Sequence, residues 1–357
     1  MNILRLGSRG LAVLGATVVL FGIVGAGTAT SGTSPLTNPK HFFWAQGQAP
    51  AAGVDTNALQ NDLIYHGGNA GPGAIGVEQK PAVYLIWWGP EWAGQGFTTE
   101  DTSGAMYSSK TLQTYLQSFF QNVGGSPWAN IQTQYCADAL PGSTNCVGGA
   151  GFVTNPKGQL KGVWTDPSPV PSDIVTLGLA ENLVDDPIAS EAVRAVQHFG
   201  YNPNATYIIL TPPSSIGTGE PYYCGYHTQT STVDGLGNTE RIQYAFIPWL
   251  NQNWPGIGTG GCGMHNVNAS SDAFGNGVFD GYSIVTGHEY AEAVTDPDNF
   301  ASFQDGWNDD QTSENGDKCA WLDTQNITLG AHPFAVQPLW SNKAFDTTGN
   351  GCVVSGP

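Results

Sequence analysis

Residues 288–292 read H-E-Y-A-E, one position away from H-E-x-x-H, in which two imidazoles one helical turn apart hold zinc and the intervening glutamate activates water. Each helical residue turns the chain by about 100°, so residues four apart share a face. His288 and Glu292 can therefore aim at one ion, with Glu289 beside them as general base. Imidazole and carboxylate are both zinc ligands, and a bound zinc brings its water to a pKa of about 7. A carboxylate ligand cancels part of the ion's charge, so this centre would be a weaker Lewis acid than one held by neutral imidazoles.

A catalytic zinc takes three protein ligands, and the sequence offers several sources for the third. Downstream, E-N-G-D runs from Glu314 to Asp317, 26 residues after His288. Thermolysin-like proteases are similar in placing a Glu ligand on a later element with an Asp close behind it, which casts Glu314 as ligand and Asp317 as the group that orients a histidine. Upstream, His227 and His265 each follow a cysteine by three residues, in C-G-Y-H and C-G-M-H. Pairing of Cys224 with Cys262 would bring both imidazoles into one neighbourhood. A metzincin-like count reaches Asp298 at the eleventh position, but Thr295 stands where that pattern needs glycine. The plain alternatives are a Glu-rich helix start and histidines hydrogen-bonded beside a disulfide.

The acidic stretch from Asp305 to Asp317 raises a structural calcium site, since calcium takes oxygen ligands, although Trp307 and Asp310 break the EF-hand pattern. Trp87, Trp88 and Trp92 could stack on sugars, with Trp87 or Trp88 better suited to the core. No G-x-S-x-G elbow, Walker loop or dinucleotide fingerprint is present.

Helices and strands sharing one core must position these groups. Ala82–Trp88 is a β-favouring apolar run ended by Gly89-Pro90, so it reads as a buried strand. Leu112, Tyr115, Leu116, Phe119 and Phe120 give residues 110–123 a helical apolar face. Further helices are expected over 173–184, from Asp186 with Pro187 in its first turn, and over 282–295, where Asp296-Pro297 ends the chemistry-bearing helix. Residues 206–210 and 241–247 read as strands. The expected fold is α/β (α+β): one large mixed-sheet domain over residues 61–357 with a zincin-like active-site helix, preceded by a flexible Ser/Thr/Pro/Gly-rich leader at 30–60.

The first 29 residues fit a secretory signal peptide: Arg5 and Arg9 precede an uncharged apolar run, then small residues. No stretch approaches the ~20 apolar residues of a membrane span. In an exported chain the six cysteines suggest three disulfides, with order and local spacing favouring Cys136 with Cys146, Cys224 with Cys262 and Cys319 with Cys352. Eleven basic residues face 29 acidic ones for a net charge of −18; loss of Arg5 and Arg9 makes it about −20, a surface that repels nucleic acid and anionic lipid. Sparse Lys and Arg would also limit self-repulsion in acid.

Y-H-G-G at 65–68, V-Y-L-I-W-W-G at 83–89, F-F-Q-N-V with S-P-W at 126–128, C-G-Y-H at 224–227, Q-Y-A-F-I-P at 243–248 and the D-G-Y-S-I-V-T-G-H-E-Y-A-E run from Asp280 occur in this order. In these segments the chain resembles the secreted EXORDIUM-like, phosphate-induced family, and its H-E-x-x-E form is similar to the microbial branch. The resemblance implies an extracellular protein associated with cell walls and supplies no reaction. The expectation is a secreted metal-dependent hydrolase, a zinc peptidase with Glu289 as base, acting on a peptide or a cell-envelope polymer. The alternative is a non-enzymatic extracellular binding or signalling protein.

Overall fold

In the computed structural model, residues 40–48, 61–68, 73–100, 106–180, 185–215, 222–251, 261–269, 277–297 and 306–356 are described. The signal peptide, most of the expected leader and Asp298 lie outside them. Six strands form the main sheet: β1 (His41–Trp44), β2 (Ala82–Trp88), β3 (Leu160–Asp166), β4 (Ala205–Leu210), β5 (Tyr223–Val233) and β6 (Thr239–Ile247). Their spatial order is β1-β5-β6-β4-β2-β3. The pairs β2/β3, β2/β4 and β4/β6 are parallel, whereas β5 runs antiparallel to β6, and β1 antiparallel to β5. The mixed α/β class expected from the sequence is what the chain adopts.

Both faces of this sheet are covered, which is why its central strands read as unbroken apolar runs rather than alternating ones. Val83, Leu85, Trp87, Ile208, Leu210, Ala245 and Ile247 enter one core, while Ala82, Ile86, Trp88, Ile209 and Phe246 enter the other. The second core is closed by helices α2 (Ile174–Leu179) and α3 (Pro187–Phe199). Asp186 caps α3 by accepting from the Ile188 and Ala189 amides, and Pro187 fits the first turn because its missing N–H is not needed there. The first core holds α1 (Ser109–Asn122) and α4 (Asp280–Thr295). Trp87, Trp88 and Trp92 are all buried, so none of the three is a sugar platform.

Helix α4 lies wholly inside: every residue from Asp280 to Thr295 is buried. Its first turn receives Asp280, whose carboxylate accepts from the Val267 and Asn268 amides, and its last turn closes with Asp296 N–H on Glu292 O before Pro297. Below it packs the hairpin Gln325–Leu329/His332–Val336, where Ser283 Oγ donates to Ala335 O at 2.6 Å.

Disulfides join Cys136 to Cys146, Cys224 to Cys262 and Cys319 to Cys352, the pairing that order and spacing favour. Among the described residues no helix is long and apolar enough to cross a membrane. One departure bears on function. Within the stretch expected to be a flexible leader, H-F-F-W forms β1, the outermost strand of the main sheet.

Candidate functional site

Four pieces of chain meet around the middle of α4. The helix supplies His288, Glu289 and Glu292, β5 supplies His227, and the loop at 314–317 supplies Glu314 and Asp317; β1 adds His41. Among the described residues three trios have ligand-capable atoms mutually within 4.8 Å: His288, Glu292 and Asp317; His227, Glu289 and Glu292; and His41, Glu314 and Asp317.

Two glycines permit this close assembly. A Cβ on Gly316 would stand 2.7 Å from His288 Nδ1 and 2.8 Å from Glu292 Oε1, so only glycine lets the E-N-G-D loop lie on the helix. A Cβ on Gly225 would stand 2.8 Å from Glu289 Oε1, which places β5 directly against the helix. The loop is further fixed by the Asp317 amide donating to Glu292 Oε1 at 2.8 Å, by Gln337 Nε2 donating to Gly316 O, and by the Cys319–Cys352 bond.

His288 Nε2 lies 3.0 Å from Glu292 Oε2 and 3.7 Å from Asp317 Oδ1. His227 Nδ1 is 3.3 Å from Glu289 Oε2 and 3.4 Å from Glu292 Oε2, while its Nε2 is 3.5 Å from Glu314 Oε1. Glu314 Oε2 also meets His41 Nδ1 at 2.8 Å. Of the side chains expected as ligands, His288, Glu292, Glu314 and His227 lie together, in an arrangement that differs from the expected one. Asp317, cast as an orienting group, completes the trio with His288 and Glu292, whereas Glu314 sits one layer away between His227 and His41. His265 does not join them: its Nδ1 faces Asn268 O at 3.1 Å near the start of α4, although the Cys224–Cys262 bond forms as expected. That disulfide brings the chains together but not the rings, because β5 carries His227 on toward the middle of α4 while His265 turns back in a left-handed conformation at φ 55°.

The electrostatics are those of a dry cluster. Burial alone would lower the His288 imidazole, yet Glu292, then Glu289 and Asp317, outweigh it and hold the group up at about 9. The same contest, with Glu314 the foremost carboxylate, raises His227 well above its ordinary value, and His41 rises to about 9. Burial would raise Glu292 and Glu314, but His288 holds the first below the ordinary carboxylate range and His41 and His227 hold the second there. Glu289 differs: burial dominates and pushes its carboxyl to about 7.

Despite these charges the hydrogen bonding is incomplete. His227 Nε2, His288 Nε2, Glu292 Oε2 and both Glu314 carboxylate oxygens meet opposite charges without good hydrogen-bond geometry, and His288 Nδ1 and Glu289 Oε1 are buried with no partner of either kind among the described residues. Orphaned buried polar atoms are rare in native proteins and call for an explanation. Two ligands bound at ~2.1 Å with tetrahedral angles stand roughly 3.4 Å apart, and the observed 3.0–3.7 Å spacings around His288 match that. The donor set therefore fits a divalent cation, whose entry would displace the imidazolium protons.

The acidic loop gives no similar case for calcium. Asp309 is taken up by Lys318 Nζ at 2.9 Å and by the Gln311 and Ser313 amides, and Asp310 accepts from Asn61. The sequence reading passed over His41, Phe43 and Trp321. Phe43 stacks on His288 with ring centroids 3.9 Å apart and on Trp321 at 4.6 Å. The signal was there in H-F-F-W, a short alternating β-favouring run set within a stretch of leader-like composition.

No family model, curated protein or solved structure matches the chain.

Proposed function

We propose that the protein is a metal-dependent hydrolase with a zinc centre on α4, most simply a peptidase. His288, Glu292 and Asp317 would hold the ion, and His227 would stand opposite as a further donor. The observation that carries this reading is the convergence of ligand-capable imidazole and carboxylate atoms from three elements beside His288, with His288 Nδ1 and Glu289 Oε1 left without a partner among the described residues. Those two atoms have neither a hydrogen bond nor an ion pair among the described residues, and the other atoms meet in buried ion pairs that a bound cation would replace.

Zinc held there would supply a Lewis acid and water with a pKa near 7. Glu289 would take and return the proton at Oε1, a role supported by that oxygen's lack of a hydrogen-bond partner among the described residues while Oε2 faces His227 Nδ1 at 3.3 Å. Its carboxyl, pushed to about 7 by burial, is near the range in which a base works best at neutral pH. The signal-like leader and the disulfides favour service outside the cell, in keeping with the EXORDIUM-like resemblance.

A non-enzymatic role is the competing reading, favoured by one observation: Phe43 and Trp321 seal His288 from solvent. Metal analysis of the purified chain separates the two. Stoichiometric zinc that is lost in His288→Ala supports the hydrolase; metal-free protein with unchanged stability in chelator refutes it.

A further inference from the structure

A buried cluster cannot meet a substrate, so the element that buries it decides how the site works. That element is β1. Its backbone pairs antiparallel with β5, matching His41 to His227, Phe42 to Tyr226 and Phe43 to Gly225. Strand periodicity then sends alternate side chains to opposite faces. His41 and Phe43 point at the cluster, His41 onto Glu314 and Phe43 into a slot between His288 and Trp321. Phe42 packs on Tyr223 and Tyr226 on the other face.

Phe43 is the residue paired with Gly225, whose bare α-carbon lies against Glu289. The extended chain therefore crosses the base and the trio in the way a peptide awaiting cleavage would. Both ends are held by groups that read backbone or charge. Lys40 Nζ donates to the carbonyls of Gly178 and Ala180 and lies 3.2 Å from Asp186; Trp321 Nε1 donates to Trp44 O at 2.9 Å. Trp321 itself sits at φ 58°, a left-handed conformation uncommon for a bulky residue and found where the surroundings enforce it.

We infer that the edge of β5 is a channel for an extended polypeptide carrying an aromatic side chain at the Phe43 position, and that β1 is a displaceable internal occupant of it. Strand addition to a sheet edge draws affinity from backbone hydrogen bonds and specificity from the pockets under alternate side chains, and this edge offers both. The slot between His288 and Trp321 selects a flat ring, and the Gly178, Ala180 and Asp186 groups select a cation three residues before it. The channel's catalytic purpose rests on the hydrolase reading; its existence does not.

The test uses the full chain with a specific protease site inserted between Gln48 and Asn61, so that the protein folds before β1 is cut free. The probe is a fluorescent peptide with the sequence of residues 40–47, followed by anisotropy in chelator so that neither metal nor hydrolysis enters. Uncut protein should exclude the probe, and cut protein should exchange its own strand for it. A probe carrying Phe43→Ala should bind at least ten-fold more weakly. Cut protein that does not exchange, uncut protein that binds equally well, or indifference to Phe43→Ala overturns the channel. Exchange in a protein that never takes up zinc sinks the hydrolase reading alone.

Discussion

Glu78 offers a test of how this fold tolerates buried acid. It lies just before β2, fully buried, with its amide on Val294 O and its Oε1 accepting from Thr206 Oγ1 at 3.1 Å. Oε2 has no hydrogen-bond partner among the described residues, and the Thr206 hydroxyl and the His227 charge pull the group down by less than burial pushes it up. Burial raises its carboxyl well above the ordinary 4.5, so the folded protein keeps a proton that the unfolded chain releases. The sign follows: this contribution is fully present below pH ~4.5 and is lost as pH climbs toward the folded value, at ~1.4 kcal/mol per pH unit for one proton. The loss accumulates at up to that slope until pH reaches the folded value, so it grows with the distance by which burial has raised the group. In Glu78→Gln that titration is gone, so the gap between variant and wild type should close and then favour the variant as pH rises. Any fixed cost of the amide shifts the curve without changing its slope. Denaturant unfolding of chelator-treated protein at several pH values measures it. Parallel stability curves for the two proteins would refute the placement of a neutral carboxyl at residue 78.

The remaining expectations concern the site. Glu289→Gln should retain zinc and lose cleavage of a peptide substrate by about 10²–10⁴-fold, as loss of a general base does; full activity in the variant would remove Glu289 from the chemistry. Gly316→Ala forces a Cβ to within 2.7 Å of His288 Nδ1, so the loop must retreat, with ~1–3 kcal/mol of lost stability and weaker zinc retention by competition with a chromophoric chelator. Cys319→Ser with Cys352→Ser opens a bridge spanning 33 residues, which by chain entropy costs about 4 kcal/mol. Calorimetry should show that loss as a lower melting temperature, and an unchanged melting temperature would deny the bridge its structural part.

Much of the frame was legible in the letters. Ala82–Trp88 is the strand its apolar run announced, α1 follows the spacing of Leu112, Leu116 and Phe119, and α4 ends at the Asp296-Pro297 stop. These signals are local, set by periodicity and by what proline cannot do. The strand Tyr223–Val233 was hidden because C-G-Y-H followed by polar T-Q-T-S-T has no apolar run, its outer half being partly exposed. The H-E-x-x-E trio was legible because four residues on a helix fix their own geometry. Whether Asp317 or Glu314 would complete it was not, since that depends on how Gly316 lets the loop settle on His288. Still less could spacing foretell that a strand some 180 residues before β5 would lie along its edge.

The bridge between Cys319 and Cys352 gives the molecule an order of assembly. Asp317 lies two residues before Cys319, and to the hydrogen bonds that seat this loop the bridge adds a covalent tether to a residue far along the chain. Synthesis must run past Cys352, and an oxidant must be met, before the loop is locked against His288. A nascent or reduced chain would carry all of these side chains yet lack that tether, so their loop would gain its last restraint only after the polypeptide had left the ribosome and met an oxidant.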